Sequence, residues 1–394
     1  MKALQEKRVR YDFDRVIERR GTDSDKWGKY GSDVIPLWVA DMDFISPESV
    51  VRALHQRVDH GIFGYARPTG ELRTAIRERL KRLYRWNVED EEILFLPGLV
   101  TGLNVAFHVY AGPGEGVLAQ PPVYHHFLRD PVVHGRVLNR SPLVQKGDTY
   151  EIDFDIFEHS ITNQTRIFLL CNPHNPVGRV YTKKELEKMA EICLRRKAIL
   201  CSDEIHCDLI FPGYHHNPIA TLGPEVADQT VTLMAPSKTF NLAGLRCGFA
   251  ILQNARLRGM WKTGSHGLVP GANSMGHVAA LAAFRDGQEW LDQVLLYLNG
   301  NKDFLAEYVR DRLSPVRPIR MTRIEATYLA WLDCRKAGIS GNPSDFFLRE
   351  AKVALNDGAE FGKEGEGFIR LNFACPRVRL KEALDRMAAS LEKL

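Results

Sequence analysis

The sequence lacks a long apolar run and lacks a strong excess of charge. No stretch of its 394 residues is apolar over the roughly eighteen or more positions that a membrane-spanning helix needs. Its 53 Lys and Arg residues nearly balance 49 Asp and Glu residues, for a net charge of +4, so charge gives no case for nucleic-acid binding. The opening residues 1–16 are partly basic, but no apolar run follows them, so a secretory signal is not expected. We therefore expect neither a membrane nor a nucleic-acid partner.

The sequence also lacks any C-x-x-C pair. It has 7 cysteines, an odd number, which argues against a disulfide framework or a zinc knuckle and is typical of a reduced, cytoplasmic protein. The histidine pairs at 125–126 and 215–216 have no further ligands at metal spacing, and a metal site needs three or four. We expect no bound metal.

The sequence contains enough apolar residues for a large core. Hydrophobic residues make up 44% and charged residues 26%, as in soluble globular proteins, and 394 residues suffice for two domains. Strand-like runs at 92–98, 116–122, 166–173, 198–204 and 229–238 alternate with helical patterns, of which 101–111 is one. This alternation predicts an α/β fold with a mainly parallel sheet between helices.

The C-terminal part has a different pattern. A long helix is predicted over 289–313, short strands over 327–334 and 367–375, and a closing helix over 380–394. We predict a large domain over 49–285 and a smaller α+β domain from 1–48 and 286–394. Within the large domain, the segment 182–197 begins with Thr182 and has Glu185 three positions later, which predicts a capped helix.

Polar residues follow the predicted strands at regular spacing. They are the glycine-containing turn 98–102, Asn175, Asp203 and Lys238. Because ligands in open α/β sheets bind beyond the carboxyl ends of the strands, and each interval matches one strand–helix–strand unit, we expect these side chains to meet at one crevice. Taken singly, each has a simpler interpretation: Asn175 as a turn residue, Asp203 as a helix cap, and Lys238 as a solvated lysine after a strand.

The set resembles the fold-type I, class I/II aminotransferase superfamily, whose members use pyridoxal 5′-phosphate (PLP). The resemblance is carried by NPHNPVGRVYT (172–182), CSDEIHCDL (201–209) and SKTFNLAGLRCG (237–248), and it extends over nearly the whole chain. IPLWVADMDF (35–44), GIFGYARPTGELRTAI (61–76), PPVYHHF (121–127) and GFIRLNFACPR (367–377) are similar to the MalY/PatB branch of cystathionine β-lyases and related carbon–sulfur lyases. The resemblance implies a large domain with a mainly parallel seven-stranded sheet and a smaller α+β domain.

The resemblance also implies roles for particular residues. Lys238 would hold PLP covalently and then act as the base at Cα, and Asp203 would pair with the pyridine nitrogen. The other implied contacts are Asn175 to the ring 3-oxygen, Tyr124 to the ring face, and Val100, Thr101, Gly102, Ser237 and Arg246 to the phosphate. Arg370 would bind the substrate α-carboxylate, although without the resemblance a surface ion pair is the simpler interpretation. Substrate contacts are also expected from Asn175, Ala40 and Tyr65, and Tyr65 would reach the phosphate from the neighbouring subunit of a homodimer.

The sequence leaves the reaction open between two routes. Ala235 and Pro236 stand where the broad aminotransferase pattern expects Gly or Ser and a residue other than proline, and this departure is typical of the lyase branch. We therefore expect α,β-elimination from L-cystathionine or related S-substituted L-cysteines, which gives thiol, pyruvate and ammonia. Transamination of an amino acid is the alternative, because the same residues serve both reactions. A PLP-binding regulatory protein that acts through a protein partner is a third interpretation, for which the chain offers no interaction tail.

Overall fold

This computed structural model describes residues 10–394; residues 1–9 of the predicted small domain lie outside the described part. Its helices are α1 (Asp25–Gly28), α2 (Glu48–Asp59), α3 (Gly70–Tyr84), α4 (Leu99–Tyr110), α5 (His126–Val133), α6 (Phe154–Ser160), α7 (Lys183–Arg195), α8 (Pro224–Asp228), α9 (Pro236–Thr239), α10 (Ala255–Ser265), α11 (Ser274–Asp286), α12 (Gln288–Tyr308), α13 (Pro343–Phe346) and α14 (Arg377–Leu391). One π-helical turn over Val309–Leu313 continues α12, and another over Phe347–Ala351 continues α13.

The strands are β1 (Ile35–Pro36), β2 (Ile93–Leu96), β3 (Gly116–Ala119), β4 (Val137–Arg140), β5 (Val144–Lys146), β6 (Thr149–Glu151), β7 (Thr165–Cys171), β8 (Ile199–Asp203), β9 (Thr230–Met234), β10 (Gly248–Ile251), β11 (Arg320–Met321), β12 (Leu329–Asp333), β13 (Val353–Ala354), β14 (Asn356–Asp357) and β15 (Phe368–Asn372). Residues 10–394 contain no helix with the length and apolar character that crossing a membrane requires.

The large sheet has seven strands in the order β2-β10-β9-β8-β7-β3-β4. All neighbours from β9 to β4 are parallel, and β10 runs antiparallel to both β2 and β9. The central strands are mainly apolar and almost wholly buried, as expected for strands covered by helices on both faces. The predicted α/β fold with a mainly parallel seven-stranded sheet is confirmed.

The C-terminal part forms a second sheet of four strands, β11-β12-β15-β14, in which all neighbours are antiparallel. The N-terminal segment joins this part, because β1 pairs in parallel with β13. A large apolar cluster under α12 and α14 includes Trp290, Leu298 and Leu384, each 0% exposed. The domain limits at residues 48 and 285 stay a prediction.

Two predicted elements have different end residues in the structure. The strand predicted over 229–238 stops at Met234, and Lys238 lies in the one-turn helix α9, because Pro236 supplies no backbone N–H for the ladder and suits the first turn of a helix. The helix predicted from residue 101 begins two residues earlier, at Leu99. The capping box between Thr182 and Glu185 is confirmed.

Candidate active site

A cavity of about 400 Å³ lies beyond the carboxyl ends of β7, β8 and β9. Nine residues singled out in the sequence line it: Ala40, Val100, Tyr124, Asn175, Asp203, Ser237, Lys238, Arg246 and Arg370. Thr101 and Gly102 lie further along α4 and are not among its lining residues, and Tyr65 is fully exposed elsewhere on the surface. Such a volume is within the range of sites for small molecules.

Asp203 is the last residue of β8 and is 6% exposed. One of its oxygens, Oδ1, accepts a hydrogen bond of 3.1 Å from the backbone N–H of Ile205. Burial raises the pKa of the Asp203 carboxyl to about 7, and the neighbouring charge of Lys238 acts in the opposite direction. A cation next to this buried carboxyl would stabilise its ionised form.

Lys238 lies in α9, and its side chain enters the cavity. Its Nζ atom donates a hydrogen bond of 2.6 Å to the main-chain oxygen of Ala40. Burial lowers the pKa of the Lys238 amine to about 8; the charge of Arg370 lowers it further, while Asp41 and Asp203 raise it. The interpretation of Lys238 as a solvated surface lysine is therefore wrong, and a substantial fraction of the amine is neutral near pH 8.

The segment 38–44, which we call the strap, passes over Lys238. Asn241, in the loop after α9, accepts a hydrogen bond from the backbone N–H of Met42 and donates to the carbonyl oxygens of Met42 and Phe44, all at 2.9–3.0 Å. On the other side, Asn372 of β15 donates to the carbonyl oxygens of Val39 and Asp41 at 2.6 and 2.7 Å. The strap therefore links the lysine loop to the four-stranded sheet.

Arg370 is central to β15 and 5% exposed. Its guanidinium donates to Asn175 Oδ1 at 3.1 Å, to Asn356 Oδ1 at 2.5 Å and to the carbonyl oxygen of Trp38 at 2.8 Å. It pairs with no carboxylate among residues 10–394, and its Nε–H has no acceptor there. Burial lowers the pKa of Arg370 to about 10. The surface ion pair considered from the sequence is excluded, and a buried cation without a counter-ion favours an anionic ligand.

The N-terminus of α4 forms another anion-binding feature. No side chain caps this 12-residue helix, so its first backbone N–H groups have no capping acceptor. Ser237 and Arg246 line the same cavity, and the exposed Arg246 side chain forms no hydrogen bond or ion pair within residues 10–394. Gly102 lets α4 lie close to the sheet, since a Cβ atom there would be 2.9 Å from side-chain carbons of Leu96 and Leu233.

Several lining residues were not predicted from the sequence: Trp38, His125, His206 and Asn356. His206 is 3% exposed, and its Nδ1 atom has no partner within the described chain. Burial lowers its pKa to about 3, helped by the charges of Lys238 and Arg370, so the ring is neutral. Its position three residues after Asp203 was an available signal. Asn356 lies in the two-residue strand β14, which is too short to be recognised from an alternation of apolar and polar residues.

Residues 10–394 contain no group of three or more His, Cys, Asp or Glu residues arranged to hold a metal ion. The cavity instead combines a lysine of lowered pKa, a buried carboxyl and two arginines without acidic partners. Groups with perturbed pKa values that converge in one cleft are typical of a catalytic centre.

Comparison with known proteins agrees with this geometry. The family model "Aminotransferase class I and II" matches residues 32–387. Cystathionine beta-lyase PatB of Bacillus subtilis (strain 168) is 39% identical over 389 residues, which are 96% of this chain and 100% of PatB. The crystal structure of OvoB superimposes with a TM-score of 0.92 at 39% identity and covers 97% of this chain and 99% of its own. The PLP-bound C-S lyase from Staphylococcus hominis gives a TM-score of 0.91 at 33% identity, covering 97% and 98%.

Proposed function

Because the chain belongs to the aminotransferase class I and II family, we propose that it is a PLP-dependent carbon–sulfur β-lyase. It cleaves L-cystathionine or related S-substituted L-cysteines to thiol, pyruvate and ammonia. The elimination reaction, rather than transamination, is supported by the names of several relatives, among them two cystathionine β-lyases and a C-S lyase. The departure from the aminotransferase pattern at Ala235 and Pro236 agrees with this choice.

One observation carries the proposal. The buried guanidinium of Arg370, without an acidic partner in the described chain, lines the same cavity as the amine of Lys238. A carboxylate bound by Arg370 would bring the α-carbon of an amino acid into the lysine's cavity, and this is the arrangement that chemistry at Cα requires. The unbonded Nε–H of Arg370 allows the two-point contact that carboxylates make with arginine.

The residues present fit PLP. Lys238 would hold its aldehyde carbon covalently, Asp203 would face the protonated ring nitrogen, and Asn175 would contact the 3-oxygen. Tyr124 would lie against the ring. The phosphate would be bound by Ser237, Arg246 and the N-terminus of α4, where Val100 lines the cavity and Thr101 and Gly102 follow. The buried Asp203, which lacks a cationic hydrogen-bond partner, supports this assignment.

The protein's own groups then carry out the proton transfers. PLP, when bound, supplies an electron sink for the charge that develops at Cα. Arg370 fixes the substrate carboxylate, and the freed Lys238 amine takes the α-proton. The Cβ–S bond would break with the thiolate leaving with the electron pair, and the Lys238 ammonium formed by taking the α-proton would protonate it. The released 2-aminoacrylate hydrolyses in water to pyruvate and ammonia.

A substrate panel tests the reaction type. The purified, PLP-loaded protein is incubated with L-cystathionine, L-cysteine and S-methyl-L-cysteine, with and without an added keto acid. We expect pyruvate, ammonia and thiol to form catalytically without the keto acid. Product formation that depends strictly on the keto acid would instead establish an aminotransferase. PLP binding without turnover of any amino acid would favour a regulatory role.

We also propose a homodimer in which Tyr65 reaches the phosphate of the neighbouring subunit. Within the irregular segment 61–69, the side chains of Ile62, Phe63 and Tyr65 are exposed by 67%, 61% and 113%. Adjacent exposed apolar residues of this kind are typical of a subunit interface. Tyr65 does not line the cavity of its own chain, which supports a role in the partner's site. A cytoplasmic location is supported by the 7 cysteines, all of which are unpaired and buried.

A further inference from the structure

A second cavity of about 650 Å³ lies between α5, β4 and the turn that follows β14. We call it the side groove, and its lining residues are His125, Leu128, Arg129, Val132, Val133, Leu138, Arg140, Ala359, Glu360 and Gly362. None of these except His125 lines the active-site cavity. The groove is therefore a separate recess that requires its own explanation.

Two residues connect the side groove to the active site. His125 lines both cavities, and its ring lies 4.6 Å, centroid to centroid, from that of Tyr124. Asn356 lines the active-site cavity and donates a hydrogen bond of 3.0 Å to Glu360, which lines the groove. The two cavities are therefore neighbours that share His125 as a lining residue.

The chemistry of the groove is mainly apolar. Leu128, Val132, Val133 and Leu138 form one wall, and Val132 and Val133 are 55% and 71% exposed. The arginines at the rim already have acidic partners: Arg129 with Asp130 at 3.2 Å and Arg140 with Glu364 at 2.8 Å. Burial, with the neighbouring charges of His126 and Arg129, lowers the pKa of His125 to about 4, so its ring is neutral at pH 7. Such a surface favours an uncharged, apolar ligand.

We propose that the side groove binds the S-substituent of the substrate, and that this substituent is a bulky apolar group such as an aromatic or branched alkyl chain. The inference rests on the proposed lyase function and adds the class of substrate to it. Small S-substituted cysteines would use Arg370 and Lys238 alone, whereas bulky ones would gain further binding from the wall around Val132. The groove therefore acts as a specificity site for the leaving thiol.

The test compares two substrates in two groove variants. Val132→Glu places a charge on the apolar wall, and Ala359→Trp fills the groove from the opposite side. The matched control is Val378→Glu, since Val378 is 57% exposed and lies in α14, away from the groove. We expect each groove variant to lower kcat/KM for S-benzyl-L-cysteine by about tenfold, a loss typical of a few carbons no longer buried. The value for S-methyl-L-cysteine should change by less than about twofold.

A binding measurement separates this inference from the lyase assignment. 3-(Benzylthio)propanoic acid has no amino group and cannot react at the cofactor, and its binding to the PLP-loaded protein is followed by ligand-observed NMR. If neither cysteine is turned over but Val132→Glu still weakens this binding, the lyase function fails and the groove assignment stands. Equal losses for both substrates, or no loss for either, would overturn the groove assignment. The groove assignment would also be overturned if the groove variants changed the sedimentation of the protein but not its substrate preference, because the groove would then be a subunit contact.

Discussion

The amine of Lys238 and the hydroxyl of Tyr328 both donate hydrogen bonds to the carbonyl oxygen of Ala40, at 2.6 and 2.8 Å. Tyr328 directly precedes β12 and is 1% exposed. The strap residue Ala40 is thus the acceptor for the Lys238 amine when that amine is not bound to cofactor. The carbonyl oxygen accepts both bonds through its two lone pairs, and because both donors draw on the same electron density, each bond weakens the other.

Replacing Tyr328 with Phe should raise the pKa of the free Lys238 amine by about half a unit, because the full acceptor strength of Ala40 would then stabilise the ammonium form. The apoprotein should capture PLP more slowly below pH 8 as a result, since only the neutral amine attacks the aldehyde. The measurement is the pH dependence of the capture rate. Tyr308→Phe is the control, because the hydroxyl of Tyr308 bonds to Asp385 at 2.6 Å, outside the cavity. An unchanged pH profile for Tyr328→Phe would show that the two bonds are independent.

Replacing Lys238 with Ala should abolish the PLP adduct that borohydride reduction fixes, because the variant has no amine in the cavity that could bond to the aldehyde. Elimination activity should fall by at least about a thousandfold, since the proton-transferring base is also lost. Mass spectrometry of the reduced protein gives the result. Lys262→Ala serves as the control, since Lys262 is an exposed lysine of α10. A normal adduct in Lys238→Ala would assign the anchoring role to another lysine.

The affinity of the apoprotein for PLP should increase as the pH rises through about 7, the pKa to which burial raises Asp203. Below this pH the carboxyl is neutral, and above it the carboxylate attracts a protonated ring nitrogen. Asp203→Asn should remove this part of the pH dependence and weaken binding at pH 8. Equilibrium dialysis from pH 5.5 to 8.5 measures both effects, with the exposed Asp228→Asn as control. If Asp203→Asn keeps the wild-type pH dependence, another group controls it.

Replacing Arg370 with Lys should lower kcat/KM for S-methyl-L-cysteine by about thirty- to a hundredfold, as expected when one charge-assisted hydrogen bond is lost. PLP affinity should stay within about twofold, because this arginine is assigned to the substrate and not to the cofactor. Steady-state kinetics measures the effect on kcat/KM, and equilibrium dialysis measures the effect on PLP affinity. The control is Arg349→Lys, an exposed arginine that pairs with Glu350 at 2.8 Å. A loss of PLP affinity as large as the loss of kcat/KM would contradict the assignment.

Mixing two inactive variants tests the shared site. Tyr65→Ala and Lys238→Ala should each be inactive alone. If Tyr65 acts across a dimer interface, half of the randomly reassembled dimers are mixed, and each contains one complete site. Activity should therefore return to about a quarter of the wild-type value. No recovery after verified subunit exchange, or full activity of a sedimenting monomer, would exclude this role for Tyr65.

The main features of the fold followed from local sequence patterns. The alternation of apolar strands and amphipathic helices predicted the parallel sheet, and the Thr182–Glu185 capping box marked the start of α7 correctly. These signals are readable because capping and periodicity act over a few neighbouring residues. The antiparallel strand β10, between β2 and β9, was not predicted, since strand order depends on contacts between distant segments.

The sequence by itself determined which residues meet at the strand ends, because Asn175, Asp203 and Lys238 follow successive β–α units of one sheet. Only the tertiary structure decided how they behave. Burial raises the pKa of Asp203 and lowers that of Lys238, and it leaves Arg370 without an acidic partner in the described chain. The strap over Lys238 and the side groove beside His125 likewise depend on segments far apart in the chain. Desolvation and long-range contacts are properties of the folded molecule, so no local pattern encodes them.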